Sequence, residues 1–275
     1  MYRYIQILSK SPASIYVVLR YVTYGLQFLN SILLVNTLGE YAYGIYGFIL
    51  MFSIYAIYFN LGLNESLNAE YAINKANKNL SSELWNTTLS FALTWYLVLI
   101  IGAFATLHFL PNIFSKYDFE EYGYLLIITC IFHNISTIYA TLYKLHGKTI
   151  KVNIQQLLPQ IGILFIIILG KKVASINGVV IALFATNVIS LLICLINPPE
   201  KFRFSVKHAT LGLLLKRGIS LLLYNLSFQL LSMLALSVVS FLYSVEQMGC
   251  YSLANSITNG VIMAGGAFLY ILIWV

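Results

Sequence analysis

Charged residues are scarce in this sequence, and their scarcity excludes a soluble domain. Only 9% of the 275 residues are charged and 60% are hydrophobic, whereas soluble proteins carry roughly 25% charged residues. The mean hydropathy is +0.83. The apolar runs are about twenty residues long, which suits a spanning helix, whereas a membrane barrel strand has roughly ten residues of alternating polarity. We therefore predict an all-α, polytopic membrane protein.

Motifs for catalysis and cofactor binding are also missing from the sequence. The three cysteines, Cys130, Cys194 and Cys250, lie far apart inside apolar runs and do not have metal-ligand spacing. No nucleotide, phosphate-loop or nucleophile motif occurs. The sequence therefore predicts a protein that is not an enzyme and that takes no cofactor or metal. The basic residues that give the net charge of +7 fall in short loops, which indicates membrane orientation and no nucleic-acid partner.

Eight apolar runs are long enough to be predicted spans. They cover about 15–38, 43–63, 85–110, 122–143, 154–169, 176–196, 219–243 and 248–275. The last run has no polar flank, so we expect a truncated product or a piece of a longer protein. Twelve of the sixteen Lys and Arg residues lie at the N-terminus and in the even-numbered connections, against three in the odd-numbered ones. The positive-inside rule therefore predicts a cytoplasmic N-terminus.

A weak internal repeat relates the seventh and eighth runs to the first and second. At an offset of 205 residues, Gly44 corresponds to Gly249 and Tyr46 to Tyr251. The same offset pairs three polar positions of the first run with three of the seventh: Arg20 with Asn225, Tyr24 with Gln229, and Gln27 with Ser232. Chance is the alternative, because Gly and Tyr are abundant. The repeat predicts a six-helix bundle over 1–200, and over 201–275 the first two helices of a second bundle.

Arg20 is the leading candidate for a functional residue. An arginine near the bilayer centre costs about 2.5–3.5 kcal/mol on insertion scales. Tyr24 and Gln27 continue its helix face at steps of four and three. The stripe is predicted to line a polar cavity in which the guanidinium could pair with phosphate. Snorkelling of Arg20 to the headgroups is the alternative.

Further polar positions complete the predicted substrate-binding set. Asn60 and Asn64 lie where the second run ends, beside Glu65, and Gln156 lies on the fifth run near Pro159. Asn225 and Gln229 form the corresponding stripe on the seventh run. Helix packing or capping is the alternative for each group. The interiors of the first six runs contain no Asp or Glu, which disfavours drug antiport coupled to a cation.

Four parts of the chain carry a family resemblance: Arg20, LVNTLGEYAYGIYGF (34–48), NLGLNESLNAE (60–70) and MGCYSLANSIT (248–258). Together they resemble the bacterial polysaccharide flippases of the multidrug and oligosaccharidyl-lipid exporter superfamily. The resemblance implies two helical bundles around a basic cavity, in the bacterial inner membrane. It also implies a substrate of O-antigen or capsule units linked to undecaprenyl diphosphate.

A flippase that works by alternating access is therefore the expected function, within surface polysaccharide synthesis such as that of lipopolysaccharide. Its expected partners are the lipid-linked oligosaccharide, membrane lipids, and possible assembly partners such as a glycan polymerase and glycosyltransferases. A multidrug exporter of the same superfamily is one alternative, and a non-transporting scaffold or inactive fragment is another.

The predicted topology can be tested with reporter fusions in two loops. A fusion near Asn79 is expected to report a cytoplasmic position, and one near Asp118 a position across the membrane, because lysine and arginine favour the inner side. A cytoplasmic reporter signal at Asp118 would contradict the predicted orientation.

Overall fold

A computed structural model describes the backbone of residues 12–170 and 175–274. Within these ranges it also describes the side chains, except those of 12–14, 111, 113, 261 and 263–274. The described residues form nine α-helices and a short 3₁₀ turn at Pro111–Tyr117. The helices are α1 (Pro12–Leu38), α2 (Glu40–Tyr58), α3 (Leu63–Ile73), α4 (Lys78–Phe109), α5 (Phe119–Leu145), α6 (Thr149–Ile168), α7 (Ile176–Leu195), α8 (His208–Leu242) and α9 (Val245–Trp274). The all-α prediction is confirmed.

Among the described residues, seven of these helices are long and apolar enough to cross a membrane, and each overlaps one of the first seven predicted spans. The eighth prediction falls on α9, in which the side chains of 263–274 lie outside the described residues. The protein is thus a multi-pass membrane protein, and its orientation remains a prediction.

Several helices begin earlier in the chain than the apolar runs do. Helix α4 begins at Lys78 because the side chain of Asn77 accepts a hydrogen bond from the Leu80 amide and caps the helix. Helix α8 has 35 residues, or about 52 Å at 1.5 Å per residue. It is therefore longer than the bilayer core of about 30 Å. Part of the predicted basic loop before residue 219 is accordingly helical.

The chain turns sharply between α2 and α3, within the predicted second span. Leu61 and Gly62 both have positive φ, 56° and 72°, so the helix cannot continue through them. The side-chain oxygen of Asn60 accepts a hydrogen bond from the Gly62 amide at 2.7 Å. The span therefore ends at Tyr58 instead of residue 63, and the polar segment that follows folds into α3. We call residues 59–62 the elbow.

The core of the first bundle is rich in aromatic side chains. Trp85 of α4 is fully buried and meets Tyr139 of α5 edge-on, with 5.1 Å between ring centroids. At the other end of the bundle, Phe48 stacks on Tyr117 at 4.2 Å. A second, smaller core joins α1, α2, α6 and α7. These two cores hold the helices that carry the candidate site.

The repeat-related glycines Gly44 and Gly249 pack directly on each other where α2 crosses α9. A Cβ atom at Gly249 would lie 2.7 Å from the Glu40 carbonyl oxygen and 3.0 Å from the Gly44 nitrogen. Small residues allow this close backbone approach between membrane helices. Contact between equivalent residues is what a two-fold axis between α2 and α9 produces. The division at residue 200 remains a prediction.

We expect Gly249→Leu to destabilise the protein by about 1–3 kcal/mol, because the added side chain meets backbone atoms that cannot move aside. Thermal unfolding in detergent should show a lower midpoint than for the wild type. Gly212→Leu is the matched control, because a Cβ at Gly212 of α8 meets no atom within 4 Å. Equal midpoints for both variants would show that the α2–α9 crossing tolerates a side chain.

Candidate functional site

Arg20 lies half-buried on α1, where neutral groups surround its charge. Its Nη1 donates a hydrogen bond to Gln156 Oε1 of α6, and its Nε donates to Tyr16 Oη at 3.2 Å. The guanidinium carbon lies 5.6 Å from the ring centroid of Tyr16 and 5.7 Å from that of Tyr24, within cation–π range. No carboxylate pairs with Arg20 in the described part of the chain. The positive charge is therefore positioned but not neutralised.

Polar side chains of α1 and α6 form hydrogen bonds at several positions where the two helices pack together. Asn30 donates to the Gln160 carbonyl oxygen at 2.8 Å, and Asn153 donates to the Tyr16 carbonyl oxygen at 3.2 Å. These bonds fix the two helices in register around Arg20. Packing therefore accounts for Asn153 and Gln160, whereas Gln156 also serves to hold the guanidinium.

A second polar group lines a cavity of about 450 Å³ between the elbow and α8. Its lining residues are Ile54, Ile57, Tyr58, Asn60, Glu65, Leu222, Asn225, Phe228 and Gln229. Within it, Tyr58 donates a hydrogen bond to Gln229 Oε1 at 2.8 Å. Oε2 of Glu65 is buried without a hydrogen-bond partner among the described residues. The cavity thus combines amide groups, a phenol and a carboxylate, all of which can bind hydroxyl groups.

The elbow packs closely against α8 beside this cavity. A Cβ at Gly218 would lie 2.8 Å from the Gly62 carbonyl oxygen and 2.9 Å from that of Leu61. About two turns further along α3, Arg217 Nη1 pairs with Oε1 of Glu70, whose side chain is 10% exposed. Backbone contact and an ion pair therefore hold α8 against the first bundle at the predicted cytoplasmic end.

The predicted site residues separate into two groups. Arg20, Tyr24 and Gln156 meet at the α1–α6 contact, whereas Asn60, Asn225 and Gln229 line the cavity at α8. The hydrogen bonds found among the described residues do not join the two groups, and the cavity at α8 is not lined by Arg20, Tyr24 or Gln156.

The other two predicted residues belong to neither group. The side chain of Gln27 is exposed, and Asn64 is buried on α3 outside the cavity lining. Tyr58 was not among the predicted site residues, because 21 scattered tyrosines give no pattern. Glu65 had a usable signal, since it lies two residues after the predicted second span and next to Asn64.

Comparisons with known proteins identify the family. A family model described as polysaccharide biosynthesis protein matches residues 11–267. No curated protein matches the chain. A solved structure titled "Crystal structure of MATE in the bent conformation" is similar, with a TM-score of 0.58 at 17% identity. The similarity covers 97% of this chain and 70% of that chain, and at this identity it shows the fold alone. Because the family match spans nearly the whole sequence, the chain belongs to the polysaccharide biosynthesis protein family, as its resemblance predicted.

Proposed function

We propose that this exporter flips lipid-linked oligosaccharide units, carried on undecaprenyl diphosphate, across the bacterial inner membrane for surface polysaccharide synthesis. The family supports a substrate from polysaccharide biosynthesis. The observation that carries the proposal is the environment of Arg20. This residue is a half-buried cation inside a spanning helix, and its hydrogen-bond partners among the described residues are neutral. Such a charge is suited to an anionic group crossing the membrane.

In this proposal the diphosphate interacts with Arg20. Opposite unit charges 4 Å apart attract by about 1 kcal/mol in water but by about 4 kcal/mol at an effective dielectric constant of 20. The cation therefore lowers the cost of holding phosphate at membrane depth. Hydrogen bonds to Gln156 and Tyr16 already hold the guanidinium at the α1–α6 contact. Substrate binding therefore costs little additional side-chain entropy at Arg20.

The glycan occupies the polar cavity between the elbow and α8. Asn60, Asn225 and Gln229 offer amide groups that both donate and accept hydrogen bonds. Tyr58 and Phe228 add aromatic surface. The two groups of residues become one path if α1 and α8, which the repeat relates to each other, face the same central cavity during transport. The lipid chain stays in the bilayer.

The Arg20 role is tested by measuring surface glycan in cells carrying Arg20→Ala. We expect export to fall about tenfold or more, because hydrogen bonds to a charged group contribute about 1.5–3 kcal/mol. Membrane abundance should not change, since Arg20 forms no ion pair in the described chain. Arg20→Lys should restore part of the activity because it keeps the charge but loses the planar fork.

Lys216→Ala is the charge-matched control, because Lys216 is exposed on α8 outside both groups of site residues. Glycan export that stays at the wild-type level in Arg20→Ala would remove Arg20 from the mechanism. An equal fall in both variants would indicate a general effect of net charge.

A further inference from the structure

A separate cavity of about 470 Å³ lies inside the first bundle, between α2, α4, α5 and the 3₁₀ turn. Along α4 its lining includes Tyr96, Leu99, Ala103 and Leu107, which follow one helix face at steps of three and four. From Tyr96 to Leu107 the stripe extends about 16 Å at 1.5 Å per residue. The cavity is therefore a narrow groove parallel to the spanning helices. We call it the α4 groove.

The α4 groove opens sideways, on the surface of the bundle. Three residues at its mouth are exposed: Phe59 (53%), Val98 (58%) and Gly102. All three lie within or next to spanning helices, so the mouth faces an apolar environment. A hydrocarbon chain can reach the groove from the bilayer without crossing water.

Two polar atoms in the α4 groove have no hydrogen-bond partner among the described residues. They are the hydroxyl of Tyr96, which is 2% exposed, and Oδ1 of Asn134, which is 3% exposed. Asn134 Nδ2 donates to the Ala56 carbonyl oxygen at 3.0 Å, and this bond fixes the direction of the amide. Other buried side-chain atoms of the described residues also lack a partner, such as Trp85 Nε1 and Ser190 Oγ. Tyr96 and Asn134, however, line a cavity, so a ligand in it can supply the missing partners.

The polar pair lies deep in the bundle. Tyr96 is thirteen residues before the end of α4, and Asn134 is fifteen residues after the start of α5, which places both about 20 Å from that end of the bundle. A bilayer core is about 30 Å thick, so this depth is far from the headgroups of that leaflet. A phospholipid chain that enters from that leaflet would place only methylene or methyl groups beside the pair.

The chemistry of the lining residues limits the ligand further. The α4 groove has no Lys, Arg, Asp or Glu among its lining residues, so neither a phosphate nor an ammonium group would be neutralised there. Oδ1 of Asn134 needs a donor, whereas the Tyr96 hydroxyl can donate or accept. A hydroxyl group can donate to Oδ1 of Asn134 and can pair with the hydroxyl of Tyr96 in either direction.

We propose that the α4 groove binds a long-chain alcohol, with its hydroxyl between Tyr96 and Asn134 and its hydrocarbon chain along α4. The volume falls within the roughly 300–1,000 Å³ of small-molecule sites, which are mostly apolar with a few polar groups that fix orientation. This ligand and this site are distinct from the oligosaccharide path, and binding can be measured without transport.

The test is photolabelling of the purified protein in phosphatidylcholine nanodiscs. The probe is dodecanol with a diazirine in its chain, and the matched probe is the dodecane diazirine without the hydroxyl. We expect saturable labelling of α4 and α5 peptides by the alcohol, competed by unlabelled dodecanol. Labelling by the alkane should require about 2- to 10-fold more probe, which is the effect of one neutral hydrogen bond.

Two variants locate the site. Gly102→Phe should abolish labelling, because Gly102 lines the α4 groove and a Cβ there meets no atom within 4 Å, so a ring at this position is expected to occupy the groove mouth. Gly212→Phe, at an equally open position on α8, should label as the wild type does. Tyr96→Phe removes an unpaired hydroxyl, so it should fold normally and lose the preference for the alcohol over the alkane.

Three results would overturn the proposal. The first is no saturable labelling of α4 or α5, in which case water satisfies the polar pair. The second is labelling that Gly102→Phe leaves unchanged. The third is equal labelling by alcohol and alkane in the wild type, which would make the α4 groove a nonselective apolar surface.

Discussion

A chain that crosses a bilayer must pair its own backbone N–H and C=O groups, because the hydrocarbon core offers no water. The spanning segments are long helices, and their hydrogen-bond pattern is interrupted at a small number of turns. The main interruption is the elbow, where Leu61 and Gly62 adopt positive φ. There the Asn60 side chain replaces a lost helical partner by accepting from the Gly62 amide. The exposed backbone of the elbow then becomes the surface on which α8 packs. A break in one helix thus creates the contact between the first bundle and the helices that follow it.

Packing without a hydrophobic driving force explains why glycine is found at the helix crossings. In lipid, apolar side chains gain little by leaving the solvent, so close backbone approach and polar contacts hold helices together. Gly44 meets Gly249 at one end of the structure, and Gly62 meets Gly218 at the other. The ion pair of Arg217 with Glu70 reinforces the second crossing. Both crossings join the first bundle to α8 or α9.

The polar groups inside the bundle are satisfied to different degrees, and the difference separates packing from function. The amides of Asn30 and Asn153 donate to backbone carbonyls and act as structural links between α1 and α6. Arg20 has neutral partners and keeps an uncompensated charge. The hydroxyl of Tyr96 has no hydrogen-bond partner in the part of the chain that the structure describes. Oδ1 of Asn30 and Oδ1 of Asn153 also lack a partner among the described residues, so we assign ligands to the groups that carry a charge or line a cavity.

The sequence by itself determined the fold class, the places of the spanning helices and the family, because hydropathy and short motifs are local properties. Arg20 was found for the same reason: a cation within an apolar run is visible without a structure. Only the tertiary structure decided that Gln156 holds Arg20, that Asn225 and Gln229 share a cavity with Tyr58, and that the α4 groove exists. Helices of similar composition can pack in many ways. Which polar stripes meet depends on crossing points and on backbone turns such as the elbow, and these are set by contacts between residues more than a hundred positions apart.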